Sequence, residues 1–429
     1  METNNEYPLF TVIIPQKNRA EYLIHTLRTC MIQDYPNLEF IVADDCSDDN
    51  SVEIIQELMQ KDNRIKLIAH KHHVGMRDNF ESALAMVRPG YVMALGGDDG
   101  LLPNCFWKMK EIIDNTGAKL ITWPTHTFRY CDGIYENRLQ IRRKKFDGLK
   151  KIKSKDFLEK ISKSFQYLVD DCPMFYVKGI ASTELVDKVK SRTKDHSFYY
   201  CPTPDGFSGV VLAGEVDEYI YNSTPLSITG SSPKSQGLNY HRTDKQSRKE
   251  AQEFFNDNIR RTMHKELASQ PYSPLVTLMT ADYLLTAKDL PGWPGIIPPI
   301  SFENLFKQTF NFISKSSFAN EVLAREMLIL KNIASQHNLI ALYDKLLKNT
   351  KRRIGKDIVF SGFRLTRQTF EFTTRDLEIN NIYDAALVSN TLYLGLNQVN
   401  KKWLFNWIRT TIKTIKNIKM QKRSKMPQF

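Results

Sequence analysis

Apolar and polar residues follow two alternating patterns over the first hundred residues of the chain. Four short runs of aliphatic and β-branched residues are typical of strands that are buried on both faces. These runs cover residues 9–14, 38–43, 65–69 and 91–95. Between them, apolar residues recur at helical spacing, as Leu23 and Leu27 do in the first interval. Three successive β-α units predict an α/β fold with a doubly wound, mostly parallel sheet.

The strand pattern ends near residue 245, and the next hundred residues show helical spacing interrupted by prolines. This change of pattern predicts several structural regions, as the length of 429 residues also does. We expect an α/β domain over residues 1–245, a helical domain over 246–350, a mixed region over 351–400 that we leave unassigned, and a tail over 401–429.

The tail combines an apolar stripe with an excess of cations. Trp403 and Trp407 lie on the stripe, and residues 401–429 contain nine Lys or Arg and no Asp or Glu. The formal net charge of the chain is +12, so the first 400 residues carry only +3. We therefore expect no nucleic-acid partner. The tail predicts a basic amphipathic helix on an anionic membrane surface. The alternative is a helix that packs on the helical domain with its lysines facing water.

Composition narrows the cellular setting. No run of eighteen apolar residues occurs, and the first residues lack the basic and apolar segments of a secretory signal. The six cysteines are scattered without a CxxC pair, which favours free thiols in a reducing compartment. We expect a cytoplasmic protein that is peripheral at the inner face of a membrane.

Candidate chemistry follows three of the predicted strands at the point where each ends. Ligands bind at the carboxyl ends of the strands in sheets of this type. The acidic residues there predict a negative pocket for a hard divalent cation or for the base and ribose of a nucleotide. No GxGxxG or GxxxxGK[ST] phosphate loop is present. The segments are Pro15-Gln-Lys17-Asn18-Arg19, Asp44-Asp45-Cys-Ser-Asp48 and Gly96-Gly97-Asp98-Asp99.

The order and spacing of these segments resemble the family 2 GT-A glycosyltransferases, of the kind that build bacterial surface polysaccharides. The resemblance covers roughly residues 8–105 and includes Val74-Gly75 to Asn79 and Pro103 after the acidic motif. It implies a GT-A fold, a nucleotide-sugar donor with UDP as the expected nucleotide, and Mn²⁺ or Mg²⁺ as cofactor. Gly96 stands where the family motif has its first acid.

The family pattern also implies roles for individual residues. Asp98, with Asp99 beside it, matches the metal-binding acid of the motif, and Asp45 matches the residue that holds the nucleobase. Each acid taken alone would be interpreted as a turn or helix-cap residue. The full set of implied donor-binding residues is Pro15, Lys17, Asn18, Arg19, Asp44, Asp45, Arg77, Asn79 and Gly97.

The family further implies a carboxylate base about one hundred residues beyond the metal motif. Asp205 best fits this position because it follows a proline and precedes an apolar, helix-like stretch. It differs from many relatives in having Pro204 where they have Glu, and a helix cap is the simpler interpretation. Asp170, Asp171 and Asp217 are the other candidates. The loop over residues 231–238 is a candidate lid over the donor.

The sequence thus predicts an inverting glycosyltransferase that acts on a saccharide or lipid-linked acceptor in surface polysaccharide or glycoconjugate biosynthesis. Two alternatives stay open. One is a catalytically inactive GT-A-like module that binds nucleotide or serves as a scaffold, because Gly96 replaces a ligand. The other is a sugar nucleotidyltransferase, although its Gly-rich basic segment after the first strand is absent.

Overall fold

A computed structural model describes most of the chain. The predicted tail helix over residues 401–429 lies outside the described residues, and so do residues 254–261 of the predicted helical domain. The structure describes residues 6–132, 136–143, 148–201, 204–235, 249, 262–316, 318–350, 360 and 362–398.

The larger sheet has eight strands in the order β3-β2-β1-β4-β10-β6-β11-β9. β1 pairs in parallel with both β2 and β4, and β2 pairs in parallel with β3, so the predicted parallel sheet is confirmed. The second half is mixed, because β10 runs antiparallel to β4 and β6. The strands are β1 Phe10–Gln16, β2 Leu38–Asp44, β3 Ile65–Ala69, β4 Tyr91–Ala94, β6 Leu120–Thr122, β9 Leu149–Lys153, β10 Gly179–Ser182 and β11 Glu218–Asn222.

Helices cover both faces of this sheet, as the apolar strands require. Alternate residues of β1 enter separate cores, with Val12 packing in the cluster around Leu27 and Ile13 in the cluster around Phe80. Strands buried on both sides explain the continuous apolar runs in the sequence. The helices of this half are α1 Ala20–Met31, α2 Ser51–Met59, α3 Met76–Ala85, α4 Cys105–Thr116, α5 Ser154–Ser164, α6 Thr183–Arg192 and α7 Pro204–Gly214.

A second sheet of six strands, ordered β13-β14-β8-β7-β12-β5, lies beside the acidic motif. Part of the region left unassigned from the sequence belongs to it, because β14 pairs antiparallel with β8 along five residues. The strands are β5 Gly100–Leu101, β7 His126–Arg129, β8 Arg138–Arg142, β12 Ser227–Ser231, β13 Phe363–Leu365 and β14 Thr369–Thr373.

The last described helix of the chain returns to the first helix of the fold. Helix α12, Ile382–Gln398, packs Ile382 into a core with Tyr22 and Tyr130. The guanidinium of Arg28 lies 4.1 Å from the centre of the Tyr383 ring. Residues 362–398 therefore complete the N-terminal α/β part of the molecule.

Four described helices lie in the chain between α7 and β13, and the first of them, α8, packs against α7. Helix α8 is buried on all sides, and its Tyr283 contacts Tyr167 edge to face at 5.4 Å between ring centres. The indole of Trp293 donates a hydrogen bond of 3.0 Å to the carbonyl of Val211 in α7. These helices are α8 Val276–Lys288, α9 Phe302–Lys315, α10 Asn320–Gln336 and α11 Ile340–Asn349. Within the described ranges, none of the helices has the length and apolar character needed to cross a bilayer.

Removing the Ile382 side chain should destabilise the N-terminal part of the protein, because this residue is fully buried against the first helix. Ile382→Ala is expected to cost about 2–5 kcal/mol through lost burial and the cavity left behind. Leu394→Ala is the matched control, since Leu394 lies on the same helix and is 51% exposed. The measurement is thermal unfolding of both variants. Equal, small effects would show that α12 is not an integral part of the fold.

Candidate functional site

The carboxyl ends of three neighbouring strands meet at one edge of the larger sheet. β1 lies between β2 and β4, so the segments after residues 16, 44 and 94 come together. The backbone fixes this junction: Asp45 donates its N–H to the carbonyl of Gln16 at 3.0 Å, and Leu95 donates to Ile13 at 2.9 Å. Pro15 lies in register with Ala43, and Lys17 follows at the end of β1.

Asp44 organises the loop that follows β2. Its carboxylate accepts hydrogen bonds from the Ser47 N–H at 2.9 Å and the Ser47 hydroxyl at 2.6 Å, as well as from the Gln16 amide. The backbone N–H of Asn18 donates to the same Ser47 hydroxyl at 2.8 Å, and the Asn18 side chain accepts from the Asp48 N–H at 2.7 Å. The two loops are therefore held as one unit.

Asp45 holds the segment that leads into α3. Its carboxylate is buried and accepts hydrogen bonds from the N–H groups of Val74 at 2.7 Å and Gly75 at 3.1 Å. The His73 ring lies 2.8 Å away through Nδ1. Gly75 has a φ of 91°, a conformation that side-chain-bearing residues rarely adopt. The carboxylate that the sequence predicts to hold a nucleobase is thus bound to the loop before α3.

Arg77 and Asn79 have structural partners in the ligand-free chain. Asn79 is buried and donates its side-chain amide to the carbonyl of Ala43 at 2.9 Å, which ties α3 to the end of β2. Arg77 donates to the Tyr199 carbonyl at 2.9 Å and the Ser197 hydroxyl at 3.0 Å, and it also pairs with Asp195. Its guanidinium is therefore engaged by the segment before α7.

Asp98 is the acid at the centre of the candidate site. One carboxylate oxygen lies 3.0 Å from Nη1 of Arg19, and the other accepts hydrogen bonds from the hydroxyls of Ser232 at 2.6 Å and Ser235 at 3.1 Å. Burial by itself would lower the pKa of Arg19, but Asp98 and the other nearby acidic groups raise it, so the guanidinium stays charged. Gly97 leaves space for this guanidinium, because a β-carbon there would lie 3.2 Å from Cδ of Arg19.

The segment over residues 232–235 covers Asp98 and Arg19. Arg19 donates to the Lys234 carbonyl at 3.0 Å, and the Lys234 ammonium donates to the Asn18 carbonyl at 2.5 Å. These residues form the described part of the loop predicted as a lid. They contact Asp98 through the hydroxyls of Ser232 and Ser235 and Arg19 through the carbonyl of Lys234.

Asp99 has different partners from Asp98. Its carboxylate accepts hydrogen bonds from the N–H groups of Gly96 at 3.0 Å and Gly230 at 2.7 Å, and from the Tyr176 hydroxyl. Burial, followed by the neighbouring Asp98 charge, raises the pKa of Asp99 to about 7. Both of its oxygens are thus committed to the internal frame, and the two acids do not converge on one point.

Asp205 lies in the first turn of α7 and is half-buried. Its Oδ1 is buried without a directed hydrogen bond from any described residue, and its Oδ2 lies 3.5 Å from the Tyr167 hydroxyl. Burial raises the pKa of Asp205, and the amides of the first turn and the Tyr167 hydroxyl oppose this shift only in part. The pKa of Tyr176 is raised by burial and by Asp99, Asp98 and Asp205, so the charges of both the acidic motif and Asp205 act on this residue.

The other three candidate bases have less suitable surroundings. Asp170 forms an ion pair with Arg142, and Asp171 forms one with Lys160 at 2.5 Å. Asp217 is exposed immediately before β11. Asp205 differs from these three in having a buried carboxylate oxygen without a directed hydrogen bond from any described residue.

The donor set around Asp98 is compatible with a metal held mainly by a substrate. Among the described residues there is no group of three or more His, Cys, Asp or Glu side chains that could hold a metal ion. Mg²⁺ usually retains several waters and binds through one or two carboxylates together with substrate phosphates. Asp98 can supply one such carboxylate, whereas Asp99 is directed to the backbone of Gly96 and Gly230.

The parallel sheet with acidic segments at its strand ends is the arrangement of a GT-A fold. Residues 11–176 match the model of glycosyl transferase family 2. The chain is 25% identical over 127 residues to glycosyltransferase GlyG of Streptococcus pneumoniae, and the aligned residues cover 30% of this chain and 42% of GlyG. It is 31% identical over 157 residues to the GalNAc(5)-diNAcBac-PP-undecaprenol beta-1,3-glucosyltransferase of Campylobacter jejuni, covering 35% of this chain and 48% of that protein.

These curated relatives are therefore matched over less than two thirds of their length. Among solved structures, S. aureus TarS 1–349 in complex with UDP-GlcNAc aligns with 84% of this chain and 98% of its own, at 13% identity and a TM-score of 0.43. The mannosyltransferase PcManGT from Pyrobaculum calidifontis, in complex with GDP-Man and Mn²⁺, aligns with 80% and 88% at 14% identity and a TM-score of 0.38.

Several residues of the site carry no signal in the sequence. Tyr176, Ser232 and Ser235 reach the acidic motif from segments that follow it by about eighty to one hundred and forty residues. Tyrosine and serine are common in loops, and nothing local distinguishes these positions. The loop over residues 231–238 was the nearest indication, because it was expected to cover the donor.

Because it is desolvated, the charged form of Asp205 should destabilise the folded protein, whereas the charge of a helix-cap residue would stabilise it. Its pKa is higher in the folded protein than in the unfolded chain. Its contribution to stability is therefore full below the unfolded pKa and is lost as the pH rises through the folded pKa. The difference in melting temperature between Asp205→Asn and the native protein at the same pH should therefore shift in favour of the variant as the pH rises from about 4 to about 8.

The control is Asp156→Asn, which removes an exposed acid from the first turn of α5. Negative charge in the first turn favours a helix, so this variant should be slightly less stable than the native protein at pH 8. If Asp205→Asn behaves in the same way, Asp205 is a terminal helix charge and its assignment as a desolvated carboxylate fails.

Proposed function

We propose that this chain is an inverting glycosyltransferase that moves a sugar from a UDP-sugar to an acceptor hydroxyl with the help of Mn²⁺ or Mg²⁺. The observation that carries the proposal is the pairing of two carboxylates in opposite environments. Asp98 is held by Arg19 and two hydroxyls, whereas Asp205 is desolvated and has an unpaired oxygen. Such pairs are typical of sites where one acid stays charged and the other exchanges a proton.

The donor nucleotide would occupy the edge formed by the first three loops. Asp45 accepts from the amides of Val74 and Gly75, and a pyrimidine base placed there would meet a carboxylate that is already oriented. Asn18, Arg19 and Asp44 lie at the adjacent strand end, where the ribose and diphosphate would follow. This order follows the general rule that ligands of open α/β sheets bind outside the carboxyl ends of the strands.

The diphosphate would find its positive partner in Arg19. The guanidinium is paired with Asp98 in the ligand-free chain, and a phosphate group is an equally good bidentate acceptor. Exchange of Arg19 from Asp98 to the diphosphate would leave one Asp98 oxygen available. Asp98 would then hold a divalent cation, and such a cation would supply neutralisation of the leaving diphosphate.

Asp205 would then act as the base. The acceptor oxygen attacks the anomeric carbon as its proton passes to Asp205, and the bond from that carbon to the diphosphate oxygen breaks with inversion. A raised pKa brings the carboxylate closer to the pH at which it works, which favours proton transfer. A positioned base of this kind contributes about 10²–10⁴-fold to the rate.

The experiment that tests the proposal is a binding screen of nucleotides and nucleotide sugars with and without Mn²⁺. UDP should raise the melting temperature of the protein, and Mn²⁺ should increase that effect, because a ligand that binds only the folded state stabilises it. Asp98→Asn should lose the Mn²⁺-dependent increment while retaining part of the UDP effect. Glu111→Gln, on the exposed face of α4, is the control and should retain both.

A full Mn²⁺-dependent increment in Asp98→Asn would remove Asp98 from the metal site. No response to any nucleotide would overturn the proposed function itself. One observation favours the inactive nucleotide-binding or scaffold alternative: the Asp98 carboxylate already contacts Arg19 and two serine hydroxyls. Binding of UDP-sugars without hydrolysis or transfer would support that alternative, and incorporation of nucleotide into a sugar phosphate would support nucleotidyl transfer.

The acceptor is proposed to be a saccharide or lipid-linked saccharide at the inner face of a membrane. The Campylobacter relative is named for a lipid-linked saccharide, which agrees with this class of acceptor. The second support is the composition of residues 401–429, with nine cations, no acids and two tryptophans on one predicted stripe. Indole rings and lysines together favour the interface of an anionic bilayer.

Full-length protein should therefore float with vesicles that contain anionic lipid at low salt. Each cation near the surface contributes about 1 kcal/mol of attraction, and salt screens it. A chain ending at Asn400 should remain unbound yet still bind UDP, because the donor site lies in the first 235 residues. Neutral vesicles are the lipid control. If the full-length protein does not float with anionic vesicles, the proposed membrane placement fails.

A further inference from the structure

Gly96 occupies the place of an acid in the family pattern, and the structure gives a spatial reason for the glycine. A β-carbon at position 96 would overlap the Tyr176 hydroxyl oxygen and would lie 2.5 Å from Oδ2 of Asp99. Gly96 has no left-handed backbone conformation that would itself require glycine. The requirement is therefore for space, and the Tyr176 hydroxyl and the Asp99 carboxylate fill that space.

Tyr176 is placed by an unusual turn in the backbone. Val177 has a φ of 60°, which is rare for a β-branched residue, and the Lys178 N–H donates to the Tyr176 carbonyl at 2.6 Å. This is the geometry of the strained form of the γ-turn. The N–H of Val177 donates to Ala94 at 2.8 Å and its carbonyl accepts from Ser227 at 2.5 Å, so the turn is fastened to β4 and to β12.

The partners of Tyr176 are the acidic motif and its supports. The hydroxyl hydrogen-bonds to Asp99, and the ring packs at 6.4 Å from Phe80 of α3. Asp99 in turn joins the amide of Gly96 to that of Gly230 in β12. Gly230 lies directly against the backbone of Asp98, where no β-carbon would fit. Any movement of Asp99 would therefore change the position of Asp98.

We infer that Tyr176 is a positioning residue of the donor site, whose hydroxyl takes the space beside Gly96 and holds Asp99 so that Asp98 faces Arg19. Gly96 and Tyr176 are then a matched pair: the side chain missing from the motif is replaced by a phenol from a later segment of the chain. This inference rests on the proposed function for its effect on donor binding, and on geometry alone for the pairing.

The pairing is tested without ligand by a double-mutant cycle. Gly96→Ala should lower the melting temperature of the native protein strongly, because the new methyl group meets the Tyr176 hydroxyl. In the Tyr176→Phe background that oxygen is absent, so the added cost of Gly96→Ala should be clearly smaller. If Gly96→Ala alone does not fold, the double variant should restore folding. Additive effects, or failure of Tyr176→Phe to relieve the single change, would overturn the pairing.

The positioning role is tested with UDP and Mn²⁺ as the probe. Tyr176→Phe should keep a near-native melting temperature yet weaken Mn²⁺-dependent UDP binding several-fold, because Asp99 and with it Asp98 become less constrained. Tyr199→Phe is the matched control, since its hydroxyl is also buried, has no hydrogen-bond partner among the described residues and belongs to a ring that packs against Phe80. It should leave UDP binding unchanged.

The outcomes separate this inference from the proposed function. If the native protein binds UDP and Tyr176→Phe binds it equally well, the positioning role is overturned and the proposed function stands. Native protein that binds no nucleotide would overturn both the proposed function and the positioning role. The ligand-free cycle would still decide whether Gly96 and Tyr176 are matched.

Discussion

The Asp99 carboxylate joins three segments of the chain that are distant in sequence, and the rest of the site is arranged around it. It accepts hydrogen bonds from the amides of Gly96 and Gly230 and from the hydroxyl of Tyr176. Buried amides need acceptors, and a buried carboxylate is costly unless it is well supplied with donors. These two requirements are met together here, which fastens the end of β4 to β12 and so sets the position of Asp98.

The distribution of charge follows from this frame. With Asp99 occupied internally, Asp98 is the acid that meets the Arg19 guanidinium, and the 232–235 segment completes its hydrogen bonding. The site therefore contains its own cation in the ligand-free state. Asp205 is desolvated, no cation among the described residues forms an ion pair with it, and burial raises its pKa. Two carboxylates of the same chemical type are thus given different properties by their surroundings.

The parts of the molecule outside the parallel sheet support particular residues of the site. Helix α8 packs under α7. Its Tyr283 contacts Tyr167, whose hydroxyl lies 3.5 Å from Oδ2 of Asp205. Residues 362–398 add β14 to the second sheet, and their helix α12 covers α1. β12 belongs to that second sheet and carries Gly230, so the added strands stabilise the strand that faces the acidic motif.

The sequence by itself determined the parallel half of the sheet and the positions of its functional strand ends. Continuous apolar runs can be satisfied only by strands covered on both faces, and parallel connection brings their carboxyl ends to one edge. The order of the motifs was sufficient to predict the family. The pattern over residues 351–400 was not interpretable, because β13 and β14 are strands of three and five residues whose register is set by β8.

Only the tertiary structure decided what each acid does. Asp98 and Asp99 are adjacent in the chain and equivalent in the motif, yet one faces Arg19 and the other faces backbone amides from two strands. The same holds for Gly96, which was interpreted from the sequence as a missing ligand and is in the structure a position without room for a side chain. Local sequence records the type of each group, whereas its partners come from segments up to about 130 residues away that only the folded chain brings together.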